Sequence, residues 1–214
     1  MCPEVEPVNT PQRAMVIEGM EHRAILYPDG AVRCFGINHD GRCSLPAGLP
    51  ASHQVGVRMC HTCALLEDGS IRCWGEDWAG QCSPSPGVGR AVQIAVGMCR
   101  NMALLEGGGL VFWGKTRDGE GTPPDELANV RKIVAGDHFS AALTDSGKVV
   151  VWGRLERRNL GTPDSLDAVV DLHSGADHLL ALRLDGSLAC WGGNELHAER
   201  MCESRVAVTA GPGY

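Results

Sequence analysis

The chain has 214 residues (22.8 kDa), enough to bury a sizeable core, and Lys+Arg 19 against Asp+Glu 26 leave a formal net charge of −7 with no basic block. That balance argues against nucleic-acid backbone or an anionic membrane as the principal partner, and no apolar run of the roughly 18 residues needed to cross a bilayer occurs. Ten cysteines are too sparse for a disulfide-built miniprotein, while 28 glycines, roughly twice the usual ~7%, point to a turn repeated many times.

Residues 1–14 precede any periodic pattern and carry Pro and Glu where a secretion signal would carry an apolar run, so they read as an N-terminal extension. From residue 15 an aromatic followed by Gly recurs at Phe35-Gly36, Trp74-Gly75, Trp113-Gly114, Trp152-Gly153 and Trp191-Gly192, always 39 residues apart. Gly30, Gly69, Gly108, Gly147 and Gly186 keep the same phase, as do Leu26, Leu65, Leu104, Leu143 and Leu182. Five units therefore fill 15–205, and 206–214 begin a sixth. Within each unit two β-rich segments flank a turn, Asp29-Gly30 first, then Asp68-Gly69, the glycine-only Gly107 to Gly109, Asp145-Ser146-Gly147 and Asp185-Gly186. Asp-Gly predicts a hairpin with a type I′ turn. A short apolar segment ending in Gly, such as Val92 to Gly97 or Val130 to Gly136, supplies a further strand ahead of the hairpin. At least three strands every ~40 residues, without helical periodicity, predict an all-β propeller of short antiparallel blades.

The stretch from His61 through Trp74-Gly75 to Gly80-Gln81, and its four in-phase copies, resembles the repeat of the regulator of chromosome condensation family. The compact unit is most similar to the short-repeat branch typified by β-lactamase inhibitory protein II. The resemblance implies a propeller, usually seven-bladed, that recognises proteins through its loops. Five units and a stub fall short of about seven, so either an open arc or part of a larger ring is expected. No insertion breaks the phase as an exchange-factor wedge would.

A large ring at one slot of every unit is expected to pack between blades. His22, His61 and His178 share a slot with Arg100 and Phe139, which favours packing or hydrogen bonding over catalysis. Cys60-His61-Thr62-Cys63 has the spacing of a zinc half-site, but Cys63 falls in a core slot, so no metal is expected. Cys34 with Cys43, and Cys73 with Cys82, come and go together across units, and Cys190 is matched by Cys202. Three intra-blade disulfides are expected from this, with buried free thiols as the alternative. They would favour an oxidising compartment.

Trp78 departs from the frame, because it occupies a loop slot held elsewhere by His39, Arg117, Glu156 and Glu195. It is either an exposed anchor or a lid over its own blade. The same rim carries Asp77, Arg42, Arg154, Arg157 and Arg158, charge of both signs that suits a protein partner. The candidate partner-binding set is Trp78, Asp77, His39, Arg42, Arg117, Arg157, Arg158 and Glu195. Asp118 and Glu120 read as solvated loop decoration. No nucleophile motif or phosphate-cradling loop is present, and no catalytic residue or cofactor is assigned. The functional expectation is a non-enzymatic recognition or scaffold module that binds another protein through one rim, without membrane insertion. The alternatives are an enzyme regulator, either an active-site cap or an exchange factor, and a structural subunit of a large complex.

Overall fold

The computed structural model describes residues 13–85, 89–116, 119–153, 166 and 168–192, and within them the 39-residue period becomes five antiparallel sheets of three strands each. The first blade is β1 (Met15–Glu18), β2 (His22–Leu26) and β3 (Val32–Gly36). The second is β4 (Ser52–Val57), β5 (His61–Leu66) and β6 (Ile71–Gly75), and the third β7 (Ala91–Val96), β8 (Arg100–Leu105) and β9 (Leu110–Gly114). The fourth is β10 (Val130–Ala135), β11 (Phe139–Thr144) and β12 (Val149–Gly153), and the fifth β13 (Val169–Ser174), β14 (His178–Arg183) and β15 (Leu188–Gly192).

The hairpins stand where Asp-Gly placed them, but their backbone differs from the expected two-residue turn. Gly69 lies at φ 81° while Asp68 keeps a negative φ, and Gly69 N–H donates to the Leu66 carbonyl at 2.9 Å. That is a type I turn closed by a left-handed glycine, the three-residue hairpin with a G1 bulge. Aspartate serves it through its side chain: Asp68 Oδ1 accepts from Ser70 N–H at 2.8 Å, and Asp29 and Asp185 repeat the bond to Ala31 and Ser187.

The middle strands of the three inner blades, β5, β8 and β11, are covered on both faces. In β5 the alternation of side chains sends Thr62, Ala64 and Leu66 toward the first blade, and His61, Cys63 and Leu65 toward the third. All six residues are buried, so the strand reads as a continuous run rather than an alternating one. The aromatic of each blade packs against the blade before it. Trp74 joins Ala24 and Leu26, Trp113 joins Cys63 and Leu65, Trp152 joins Met102 and Leu104, and Trp191 joins Phe139 and Leu143. The inter-blade role assigned to this slot therefore holds in four blades. Phe35 has no preceding blade among the described residues and is 47% exposed.

The glycine after the aromatic is required by close approach. Gly75 has φ 110°, and a Cβ there would sit 2.5 Å from the Cys60 carbonyl oxygen. First strands of successive blades pack side by side, and each middle strand leans on the next blade's first strand. No comparable packing joins β13, β14 or β15 to the first blade, so the described blades form an arc.

Trp113→Ala should destabilise the protein by about 3 to 5 kcal/mol, because it empties a filled interface. Phe35→Ala should cost about 1 kcal/mol, since half of that ring is already in water. Urea denaturation of the two variants against the parent measures the difference.

Candidate protein-binding face

The antiparallel order brings two kinds of connection to one end of every blade. Register pairs His22 with Gly36 and His61 with Gly75, so the turn between strands one and two lies beside the loop that follows the aromatic-Gly pair. Backbone bonds tie them: Ile37 N–H to the Glu21 carbonyl, Glu76 to Cys60 and Lys115 to Cys99, at 2.9 to 3.0 Å. The Asp-Gly hairpins occupy the opposite end.

The loop after the pair is braced from within. Asp77 Oδ1 accepts from Cys82 N–H at 2.7 Å and its Oδ2 from the Ser83 hydroxyl at 2.6 Å; in the first blade Asn38 Oδ1 accepts from Cys43 N–H at 2.8 Å and its Nδ2 donates to Ser44 Oγ at 3.0 Å. Asp77, expected to touch a partner, is thus the post around which its own loop folds. Trp78 stands on the crest of that loop, 59% exposed, with Lys115 Nζ of the next blade 4.9 Å from its ring centroid. His39 is exposed on the first blade's loop. Arg117, Arg157, Arg158 and Glu195, with Arg154 and Glu156, lie outside the described residues.

Arg42 departs from expectation. Its side chain is buried, pairs with Glu21 and Asp40, and donates to the Met59 carbonyl at 2.6 Å, so it is an interior hub rather than a rim contact. Glu120, in the same repeat slot, corrects the reading of solvated decoration: it is buried and its Oε1 lies 3.3 Å from Arg100 Nε. Asp118 lies outside the described residues. Gln81 completes the slot and is fully buried. The slot matters because its backbone carbonyl is the terminus of a relay between blades. His22 Nε2 donates to Thr62 Oγ1 at 2.9 Å, and the Thr62 hydroxyl donates to the Arg42 carbonyl at 2.9 Å. His61 reaches Asn101 Oδ1 at 2.8 Å, and Asn101 Nδ2 donates to the Gln81 carbonyl at 2.7 Å. At the next interface Arg100 Nη1 reaches Ser140 Oγ at 3.4 Å, and Ser140 donates to the Glu120 carbonyl at 2.9 Å. Trp113 and Trp152 add their indole N–H groups to the Gln81 and Glu120 carbonyls. The histidine slot is therefore structural, as its replacement by Phe139 suggested.

The expected disulfides need correction. Cys73 bonds Cys63, not Cys82, because register places Cys63 directly opposite it with a Cα separation of 4.1 Å. Cys82 turns instead to the Glu76 carbonyl at 3.3 Å. Cys34 and Cys43 are free: the residue opposite Cys34 is Ala24, and Cys43 Sγ contacts the Ile37 carbonyl at 3.7 Å. Cys190 is disulfide-bonded, and its expected partner Cys202 lies outside the described residues. With Cys63 oxidised, the Cys60-to-Cys63 spacing is no zinc half-site. Burial first, then the Glu76 carboxylate, pushes the Cys60 thiol up to about 12, which keeps it protonated and unreactive. Among the described residues no group of three or more His, Cys, Asp or Glu is placed to hold a metal ion, and no helix is long and apolar enough to cross a membrane.

Two measurements follow. Non-reducing peptide mapping should recover the Cys63–Cys73 link and alkylate Cys34, Cys43 and Cys82 as free thiols. Burial, followed by the Arg42 charge, lowers His22 from 6.5 to about 4, and burial lowers His61 as well. Between pH 6.5 and 4 the unfolded chain then binds more protons than the folded one. Stability present above pH 6.5 should fall as the pH drops through that window. Thermal unfolding against pH checks this, and His22→Gln should flatten the curve.

The family described as "Regulator of chromosome condensation (RCC1) repeat" matches residues 60–81, the last two strands of the second blade with the loop after them, and 130–154, which contain the three strands of the fourth. No curated protein sequence matches the chain. Among solved structures, the ectodomain of the receptor kinase CR4 from Physcomitrella patens is similar at 21% identity and a TM-score of 0.69, over 83% of this chain and 49% of that one. The CRINKLY WD40 ectodomain of the Arabidopsis thaliana receptor kinase ACR4 is similar at 23% and 0.68, over 87% and 68%. Yeast RCC1 (Prp20), solved with Kap60 bound, is similar at 20% and 0.68, over 83% and 55%. The chain thus spans only about half the length of the first and the last of these, and at such identities the likeness is one of fold. Repeat match, unbroken 39-residue period and propeller-type sheets agree: the second and fourth blades match the regulator of chromosome condensation repeat, and the chain is similar to that family in repeat pattern and fold.

Proposed function

We propose that the chain is a non-catalytic protein-recognition module that binds its partner through the face carrying the loops after each aromatic-Gly pair, with Trp78 as an anchor. One observation carries this reading. A large ring occupies a loop slot that is polar in the other units, remains 59% exposed, and stands on a loop braced by Asp77. An aromatic presented on a rigid support loses little conformational freedom on binding, which is the physical basis of interface hot spots. Yeast Prp20, a protein of this fold, was solved with another protein bound, which supports the same use of the scaffold.

Affinity capture with the parent and with Trp78→Ala tests the proposal. The variant should weaken partner capture by about 2 kcal/mol or more, while its melting temperature stays with that of the parent. A variant that captures normally but melts early would assign Trp78 to stability instead.

A further inference from the structure

The turns between strands one and two contribute a second half to this face. Met20, Met59 and Met98 occupy one repeat slot in three successive blades, at the first residue beyond the Gly or Arg that ends the opening strand segment. The slot changes to Asp137 and Ala176 in the last two blades. These turns converge: Arg58 of the second blade reaches Asp137 of the fourth, with Nε and Nη2 at 3.0 and 2.6 Å from its Oδ1. Met20 is 63% exposed, Met59 and Met98 are half-buried, and Ile37, whose N–H bonds the Glu21 carbonyl next to Met20, is 41% exposed. With Trp78, Met20 and Ile37 are exposed apolar groups of the first two blades at this end, while Met15 is exposed at the opposite end of β1.

Carboxylates outnumber cations around them, with Lys115 and the paired Arg58 and Arg42 as the cations near these groups among the described residues. Glu21 and Asp40 share the single guanidinium of Arg42, which lies buried beneath them, and Glu76 and Asp77 add two more carboxylates on the neighbouring loop. Arg58 is already matched by Asp137. A soft, adaptable apolar strip rimmed by carboxylates fits a ligand with the complementary pattern. The Trp78 ring already accepts the Lys115 ammonium, so it is oriented to receive a cation.

Resting on the recognition function proposed above, we infer that the first two blades' end of this face docks a cationic, amphipathic segment of a partner protein. Apolar side chains of that segment lie on Met20, Met59 and Ile37, and a Lys or Arg lies against Trp78 and the carboxylates of Glu76 and Asp40. The surplus of carboxylates disfavours nucleic acid and acidic lipid as occupants.

Methionine-methyl NMR with a short peptide alternating leucine and arginine tests the chemistry without knowledge of the native partner. The Met20, Met59 and Met98 methyl signals should shift and Trp78 fluorescence should change, while the fully buried Met102 stays put. Replacing arginine by glutamate in the peptide should abolish the effect. Met20→Gln and Trp78→Ser should each weaken binding about tenfold at unchanged melting temperature. Shifts spread over the whole molecule, equal binding of the glutamate peptide, or unaltered affinity in both variants would overturn the inference. If those results come while Trp78→Ala still abolishes capture of the native partner, the rim stands and only the cationic chemistry falls. If capture is also unaffected, the recognition face itself falls.

Discussion

Between successive blades a donor at the first position of one middle strand reaches a hydroxyl or amide 40 residues on, which donates in turn to a backbone carbonyl 20 residues earlier. Apolar burial supplies most of the attraction between blades, but two flat sheets of Ala, Leu and Val can slide past one another at little cost. The relay removes that freedom, because a buried donor that loses its acceptor costs far more than the bond is worth in water. It also fixes the post-aromatic loop, since the carbonyl that terminates it belongs to Arg42, Gln81 or Glu120 within that loop. Blade register and loop position are therefore set by the same atoms.

This explains why the side chains of the slot can vary so widely. The constant element is a main-chain carbonyl, whose two lone pairs are both occupied at Gln81 and Glu120. The side chain is left to adapt to its surroundings. Arg42 balances two carboxylates, Gln81 is neutral, and Glu120 meets Arg100, the one cation in a slot otherwise held by histidine or phenylalanine. A buried pair of that kind arises when two residues depart from the repeat together, each supplying the charge the other needs.

What could be read from the sequence follows the same division. The 39-residue blade period, the hairpin positions and the packing of Trp74, Trp113, Trp152 and Trp191 were legible because side-chain type alone decides them. Burial of Arg42 and Glu120 was not, since a carbonyl carries no residue identity and charged side chains in a loop look solvated. The disulfide was within reach. Cys63 and Cys73 are equidistant from Asp68, and antiparallel pairing around that turn places them opposite each other. The slot of Cys82 and Cys43 gains and loses its cysteine together with that of Cys73 and Cys34, yet Cys82 and Cys43 act as thiol donors to carbonyls of their own loops.

In a repeat protein a residue that breaks its slot is informative only once its neighbours are known. Arg100 breaks the histidine slot and is answered inside the interface by Glu120 and Ser140, so its departure is absorbed by the fold. Trp78 breaks a polar slot, yet more than half of it remains in water, and the Lys115 ammonium beside its ring is a mobile side chain that can move aside. Met20 belongs to a slot that is consistent across three blades and then abandoned, and it too stays in water. Apolar groups left in water in this way cost solubility without stabilising the blades, and the proposed recognition face is built on those two positions for that reason.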